Sequence, residues 1–182
     1  MTIQVVDYDP AWVELFDDLR ARYERILRDV EIVAIEHVGS TSVPGLAAKP
    51  IIDVDIIVEP AHRQDALAAM QAAGFESRGT LGIDDRWAFT TPAGYPVTNT
   101  YVVIEGSIAL RNHLGVRDLL RQDEALRAEY GALKRAIADR VDNIDDYVEQ
   151  KSAFLTDLLS RTGLSADELA QIEAANRATK SR

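Results

Sequence analysis

Residues 35–58 read IEHVGSTSVPGLAAKPIIDVDIIV. An apolar segment ending at Val38 runs into Gly39-Ser40, and a second Ile/Val-rich segment carries Asp53 and Asp55. Both segments have strand composition, and residues i and i+2 of a strand point to one face. Two carboxylates side by side in an otherwise apolar strand repel each other and are each penalised by desolvation. A divalent cation relieves both penalties, and carboxylates completed by water are what Mg²⁺ prefers. A Gly-Ser turn leading into a helix offers backbone N–H groups and a hydroxyl to phosphate. Together the two elements read as a metal site (Asp53, Asp55) and a phosphate cradle (Gly39, Ser40), with Lys49 between them. The plainer alternative is two aspartates on a solvated sheet face and two glycines, Gly39 and Gly45, that only make turns.

Other phosphate-binding patterns are excluded. A Walker A loop requires G-x-x-x-x-G-K-[ST], whereas five residues separate Gly39 from Gly45 and Leu46 follows. No G-x-G-x-x-G is present. A D-x-D phosphatase nucleophile belongs at a strand end, but Ile56-Ile57-Val58 carry this strand onward. His37, just before Gly-Ser, reads in two ways. It is a phosphate donor or proton-transfer group, or a strand-end histidine bonded to nearby backbone.

Outward from this segment, Asp9 and Pro10 start a helix whose apolar positions Trp12, Leu15, Phe16, Leu19, Tyr23, Ile26 and Leu27 repeat at helical spacing. Strands are predicted over 31–38 and 51–58, then a helix from Pro60 to Gly74. Short strands follow over 75–78, 86–91 and 97–104. From Ser107 the pattern is helical through three predicted helices, and Ser165 with Glu168 forms a capping-box pattern for a last short one. The expected fold is α+β: a mixed β-sheet with flanking helices and a C-terminal helical part. The whole chain, 1–182, reads as one domain, with an α/β core over 1–106, a helical part over 107–163 packed on it, and a short terminal helix with a frayed tail over 164–182. Trp87 and Tyr95 read as base-stacking or packed aromatics, and His62 as exposed and inert.

Composition narrows the function. The chain lacks cysteine, which excludes disulfides, thiolate catalysis and Cys-ligated zinc. Twenty Lys and Arg against thirty Asp and Glu give a net charge of −10. Residues 1–110 carry 8 basic and 17 acidic side chains, and residues 111–182 carry 12 and 13. A phosphate backbone repels such a chain, so nucleic acid is not an expected partner. A small anion held with Mg²⁺, or a cationic substrate, suits this charge better. No apolar run approaches the roughly 20 residues that span a bilayer. The opening MTIQVVDYDP has neither the basic nor the apolar part of a signal peptide. No membrane partner and a cytoplasmic location are expected, and oligomeric state is not read from the sequence.

The apolar residue, Gly-Ser, spacer and Asp-apolar-Asp-apolar pattern resembles the signature of the polymerase-beta-like nucleotidyltransferase superfamily. More narrowly, HVGSTSVPGLAAKPIIDVDIIV is similar to the block H-[IV]-G-S-T-[AS]-V-P-G-L-x-[AG]-K-P-I-I-D of the GrpB family, also called UPF0157. Tyr8-Asp9-Pro10-x-Trp12 resembles that family's start, and His113-Leu114-x-Val116-Arg117-Asp118-x-Leu120-Arg121 its H-L-x-F-R-D-Y-L-R. Tyr130-x-x-Leu133-Lys134 and Tyr147-x-x-x-Lys151 fit its helical end, so the resemblance covers roughly residues 5–160.

The resemblance implies a nucleotidyltransferase-like fold and transfer of a nucleotidyl group from a nucleoside triphosphate to a hydroxyl of a small acceptor. Gly39 and Ser40 would hold the β- and γ-phosphates, and Asp53 and Asp55 would hold Mg²⁺ (or Mn²⁺). Lys49, Arg86, Arg117, Lys134 and Lys151 are candidate cations for the rest of the triphosphate, Lys134 and Lys151 on the family pattern, which also brings in Tyr130. Two departures stand out. Many superfamily enzymes have a third carboxylate on a neighbouring strand, and residues 97–104 contain no acid. Many GrpB relatives carry histidines there, where this chain has Asn99 and Tyr101. The alternative is therefore an accessory module that binds nucleotide or metal, keeps the fold and has lost the chemistry. Some GrpB domains are fused to dephospho-coenzyme A kinase in such a role.

Overall fold

Alternation along Ile52–Val58 decides how the layers stack. In the computed structural model, which describes residues 4–140, 154–160 and 165–178, Ile52, Val54, Ile56 and Val58 are all buried in one apolar cluster. Their partners come from helix α1 (Ala11–Ile26) and helix α2 (Arg63–Ala72). From α1 these are Trp12, Phe16, Leu19 and Tyr23; from α2, Ala66 and Met70. The intervening residues Asp53, Asp55 and Ile57 belong to the other face, where Ile57 packs with Val103, Ala109 and Leu110.

The strands are β1 (Ala34–Val38), β2 (Ile52–Val58), β3 (Glu76–Ser77), β4 (Arg86–Thr90) and β5 (Thr98–Ile104), in sheet order β1-β2-β5-β4-β3. Only β2 and β5 run parallel; the remaining pairs are antiparallel. The sheet is mixed, as expected. Register sets three rows across the face opposite α1. Val38, Asp53 and Asn99 form the first; Glu36, Asp55, Tyr101 and Ala88 the second; Ala34, Ile57, Val103 and Arg86 the third.

Helices α3 (Ile108–Gln122) and α4 (Glu124–Ala138) follow, with residues 154–160 (α5) and Ala166–Ala178 (α6) also helical. Two caps are those read from the sequence. Asp9 Oδ1 accepts from Ala11 N at 2.9 Å, and Ser165 and Glu168 bond each other's backbone N–H groups reciprocally. Ser107 Oγ and Asp123 Oδ1 start α3 and α4 in the same way. The helical part packs on the segment after the Gly-Ser turn: Val43 and Leu46 are buried among Leu120, Leu126, Tyr130 and Leu158.

Two expectations are corrected. The helix after Gly39-Ser40 is a single 3₁₀ turn, Ser40–Ser42, because Pro44 and Gly45 follow and cannot continue it. The strand expected over 75–78 shrinks to Glu76–Ser77, beyond which Gly79, Leu81, Gly82 and Asp85 all take positive φ. No helix among the described residues is long and apolar enough to cross a membrane.

Candidate functional site

β1 ends at Val38 and the chain turns at Gly39 with φ +70°, against the side chain of Asp53 on the neighbouring strand. A Cβ on Gly39 would lie 2.1 Å from Asp53 Oδ2 and 2.7 Å from its Cγ. Both the left-handed backbone and the contact therefore require glycine. Asn99, opposite Asp53 on β5, donates its amide to Asp53 Oδ1 at 2.7 Å. Beyond Gly39, Lys134 Nζ donates to Ser40 Oγ at 2.9 Å and lies 4.5 Å from the ring centroid of Tyr130. Lys134 is only 2% exposed. Gly39, Ser40 and Asp53 thus share a cavity of about 260 Å³ with Arg117, Tyr130 and His113.

Asp55 is placed differently from Asp53. It is 0% exposed and forms no part of that cavity wall. Its Oδ2 accepts from His113 Nδ1 at 2.8 Å, while its Oδ1 is buried with no partner among the described residues. Arg117, one turn after His113 on α3, donates to Glu36 Oε2 at 2.6 Å, to the carbonyl of His37 at 3.1 Å and to Asp118 Oδ1 at 2.7 Å. Its charge is shared between the cavity and β1. Tyr101 also faces the cavity, and burial pushes its hydroxyl up to about 12, against the pull of nearby Arg86. It stays protonated at neutral pH. Arg86 Cζ stands 4.5 Å from the Tyr101 ring centroid.

Seven of the sequence candidates, Gly39, Ser40, Asp53, Arg86, Arg117, Tyr101 and Tyr130, line this one cavity. Lys134 and Asn99 touch it through Ser40 and Asp53. Lys49 is not in its wall; burial lowers its ammonium, and Asp53 acts in the opposite sense. Lys151 and Tyr147 lie outside the described residues. His37 points to the α1 face, away from Asp53. Its ring stacks on Phe16 at 4.7 Å between centroids, and its Nε2 meets Thr41 Oγ1 at 3.0 Å. Thr41 spends its own proton on the carbonyl of Ile51, so His37 donates. Trp87 and Tyr95 are packed against the apolar core rather than open to a base. His62 lies 3.4 Å from Glu31.

His113 is the participant that residue-by-residue reading missed. The available signal was its spacing from Arg117: i and i+4 on a helix share one face. The fit of a divalent cation rests on the donors present. Asp53 and Asp55 stand at i and i+2 on one strand face, and the orphaned buried Oδ1 of Asp55 is an acceptor still to be satisfied. One or two carboxylates, completed by water and phosphate oxygens, are a common Mg²⁺ site. Among the described residues no group of three or more His, Cys, Asp or Glu is arranged to hold a metal.

A model of the family described as GrpB protein matches residues 2–161. The UPF0157 protein SCO7215 of Streptomyces coelicolor is 39% identical over 166 residues, which cover 90% of this chain and 86% of that protein. The UPF0157 protein YqkA of Bacillus subtilis is 32% identical over 84% of this chain, and the match spans only 45% of that relative's length. The crystal structure of conserved protein GrpB from Enterococcus faecalis is similar with a TM-score of 0.76 at 33% identity, covering 87% of this chain and 96% of that one. The structure of the GLD-2/RNP-8 complex has a TM-score of 0.51 at 12% identity, covering 84% of this chain and 61% of that one, a likeness of fold alone. The fold is α+β, a mixed sheet with flanking helices, and these two structures share it. With most of its length matched by the family model and by these relatives, the chain belongs to the GrpB family.

Proposed function

We propose that the chain transfers a nucleotidyl group from a nucleoside triphosphate to a hydroxyl of a small acceptor, in a Mg²⁺- or Mn²⁺-dependent reaction that releases pyrophosphate. The observation that carries this reading is the convergence of Gly39, Ser40 and Asp53 on one cavity, with Lys134 bonded to Ser40 from behind. Gly39 is the position where phosphate can approach the backbone closely, since no side chain stands there. Ser40 offers a hydroxyl whose oxygen already accepts from Lys134, which frees its proton for a phosphate oxygen. Lys134 and Arg117 bring positive charge to the triphosphate, and Lys49 and Lys151 are the remaining candidates for it. Asp53, with Asp55, would hold the cation, which when bound neutralises the triphosphate and the leaving pyrophosphate.

A second reading, a non-catalytic nucleotide- or metal-binding module, is favoured by a different observation. Neutral Asn99 stands opposite Asp53 and already bonds it, as His113 bonds Asp55. Incubation with α-labelled and γ-labelled nucleoside triphosphates, Mg²⁺ and a pool of small hydroxy compounds separates the two readings. Transfer requires the α-label to appear in a modified acceptor while the γ-label leaves in pyrophosphate and never enters the acceptor, with both signals lost in Asp53→Asn. Nucleotide binding without any label transfer would leave the module reading in its place.

A further inference from the structure

Arg86 is 9% exposed, yet its guanidinium has no hydrogen-bond or ion-pair partner among the described residues. Its Nε is buried and unpaired, and the carboxylates that pair with other arginines all lie elsewhere. Its one compensation among the described residues is the ring of Tyr101. A cation–π contact returns only part of what a guanidinium loses on leaving water. Arg63 also has an unpaired Nε and an aromatic partner, Trp87, but it is not in the wall of either cavity that Arg86 lines. Arg86 walls two. The second, of about 390 Å³, shares Ile83, Asn112 and His113 with the first and extends to Asp84, Asp85 and Gln171. With no counter-charge among the described residues, a buried cation at the junction of two cavities fits an anion from outside the chain.

That anion is separate from the triphosphate. Arg86 belongs to the third row of the sheet and Gly39 follows the first, with β2 and β5 between their strands. Four residues along a strand is about 13 Å, and each strand crossed adds about 4.8 Å. A phosphate cradled at Gly39 and Ser40 leaves Arg86 to a different group. We propose that Arg86 binds an oxyanion, carboxylate or phosphate, of the acceptor, so that the acceptor is an anionic hydroxy compound seated in the second cavity. This assignment rests on nucleotidyl transfer as the reaction of the first cavity. The guanidinium fork matches either oxyanion with two parallel N–H···O bonds. The net charge of −10 points toward a cationic acceptor instead, but that field is screened over about 8–10 Å. At contact the local guanidinium decides. Asp84 and Asp85 are exposed to solvent and do not neutralise it.

The test is calorimetric titration of inorganic phosphate and of acetate into the full chain and into Arg86→Gln and Arg86→Lys, with and without saturating MgATP. Phosphate or acetate is expected to bind the wild type about tenfold or more tightly than Arg86→Gln. Arg86→Lys, which keeps the charge and loses the fork, is expected to fall between. The tighter of the two probes names the oxyanion. Binding is expected to persist with MgATP present. Without anions, Arg86→Gln is expected to melt above the wild type, because an uncompensated buried charge has gone. Anion binding unchanged in Arg86→Gln, or a lower melting point with no anion response, would make Arg86 a prop for Tyr101 and overturn the assignment. Displacement of the anion by MgATP would overturn it too, by giving Arg86 to the nucleotide. If MgATP fails to bind while Arg86-dependent anion binding remains, the anion site stands and nucleotidyl transfer falls.

Discussion

A methyl group at position 39 has nowhere to go. It would enter the carboxylate of Asp53, and the backbone at φ +70°, ψ −172° by itself penalises any L side chain by about 1–3 kcal/mol. Gly39→Ala is therefore expected to lower stability by at least that amount in urea unfolding, and to weaken Mg²⁺-dependent nucleotide binding by displacing Asp53. His37 makes a separate prediction. Burial, with Arg121 and Arg117 nearby, lowers its ring from 6.5 to about 4. The unfolded chain thus binds more protons than the folded one between these values, and stability is lost as pH falls through that window. Replacing it with His37→Gln, which keeps an N–H for Thr41, should flatten this part of the stability profile; a profile unchanged by the substitution would remove His37 as its source. That a turn stands at Gly39 could be read from the sequence, since Gly-Ser follows a strand there, whereas its contact with Asp53 follows from the β1–β2 register. The side of the sheet that His37 takes was also there to be read. It alternates with Val38 and Glu36, so any register that puts Glu36 with Asp55 puts His37 on the α1 face.

At the level of elements, β2 carried its own description. A strand with apolar residues at 52, 54, 56 and 58 and aspartates at 53 and 55 can only bury one face and load the other. What the strand could not say is which helix covers the loaded face. The pair Asp55–His113 joins positions 58 apart in sequence and exists only because α3 crosses the sheet there. Asp55 is compensated by His113, and removing the imidazole leaves a fully buried carboxylate alone. His113→Ala is expected to destabilise by about 3–5 kcal/mol. In the double variant with Asp55→Asn the loss should be smaller than the sum of the two single losses, since the buried charge is gone with its partner. Strictly additive losses in chemical denaturation would mean that the two side chains do not depend on each other. Asn99 has the same character, since its lack of charge is evident in the sequence but its bond to Asp53 follows from the parallel β2–β5 register.

Across the whole molecule, the acidic surface and the basic cavity are different things. A net charge of −10 describes the surface, while Arg86, Arg117 and Lys134 gather near the sheet face that carries the aspartates. Composition argued against nucleic acid and for an anion held with a cation, without locating the residues for either reading. The location comes from packing: Val43 and Leu46 anchor the segment after Gly39-Ser40 under α3 and α4, which delivers Lys134 to Ser40 from a helix 94 residues away. The central claim is that this assembly binds a nucleoside triphosphate through a cation at Asp53. Calorimetric titration of ATP, GTP, CTP and UTP, each with and without Mg²⁺, into the wild type and Asp53→Asn tests it most directly. At least one triphosphate is expected to bind only with Mg²⁺, and to lose about tenfold or more in affinity in the variant. If no triphosphate binds, or if binding is the same without Mg²⁺ and in Asp53→Asn, the claim is wrong.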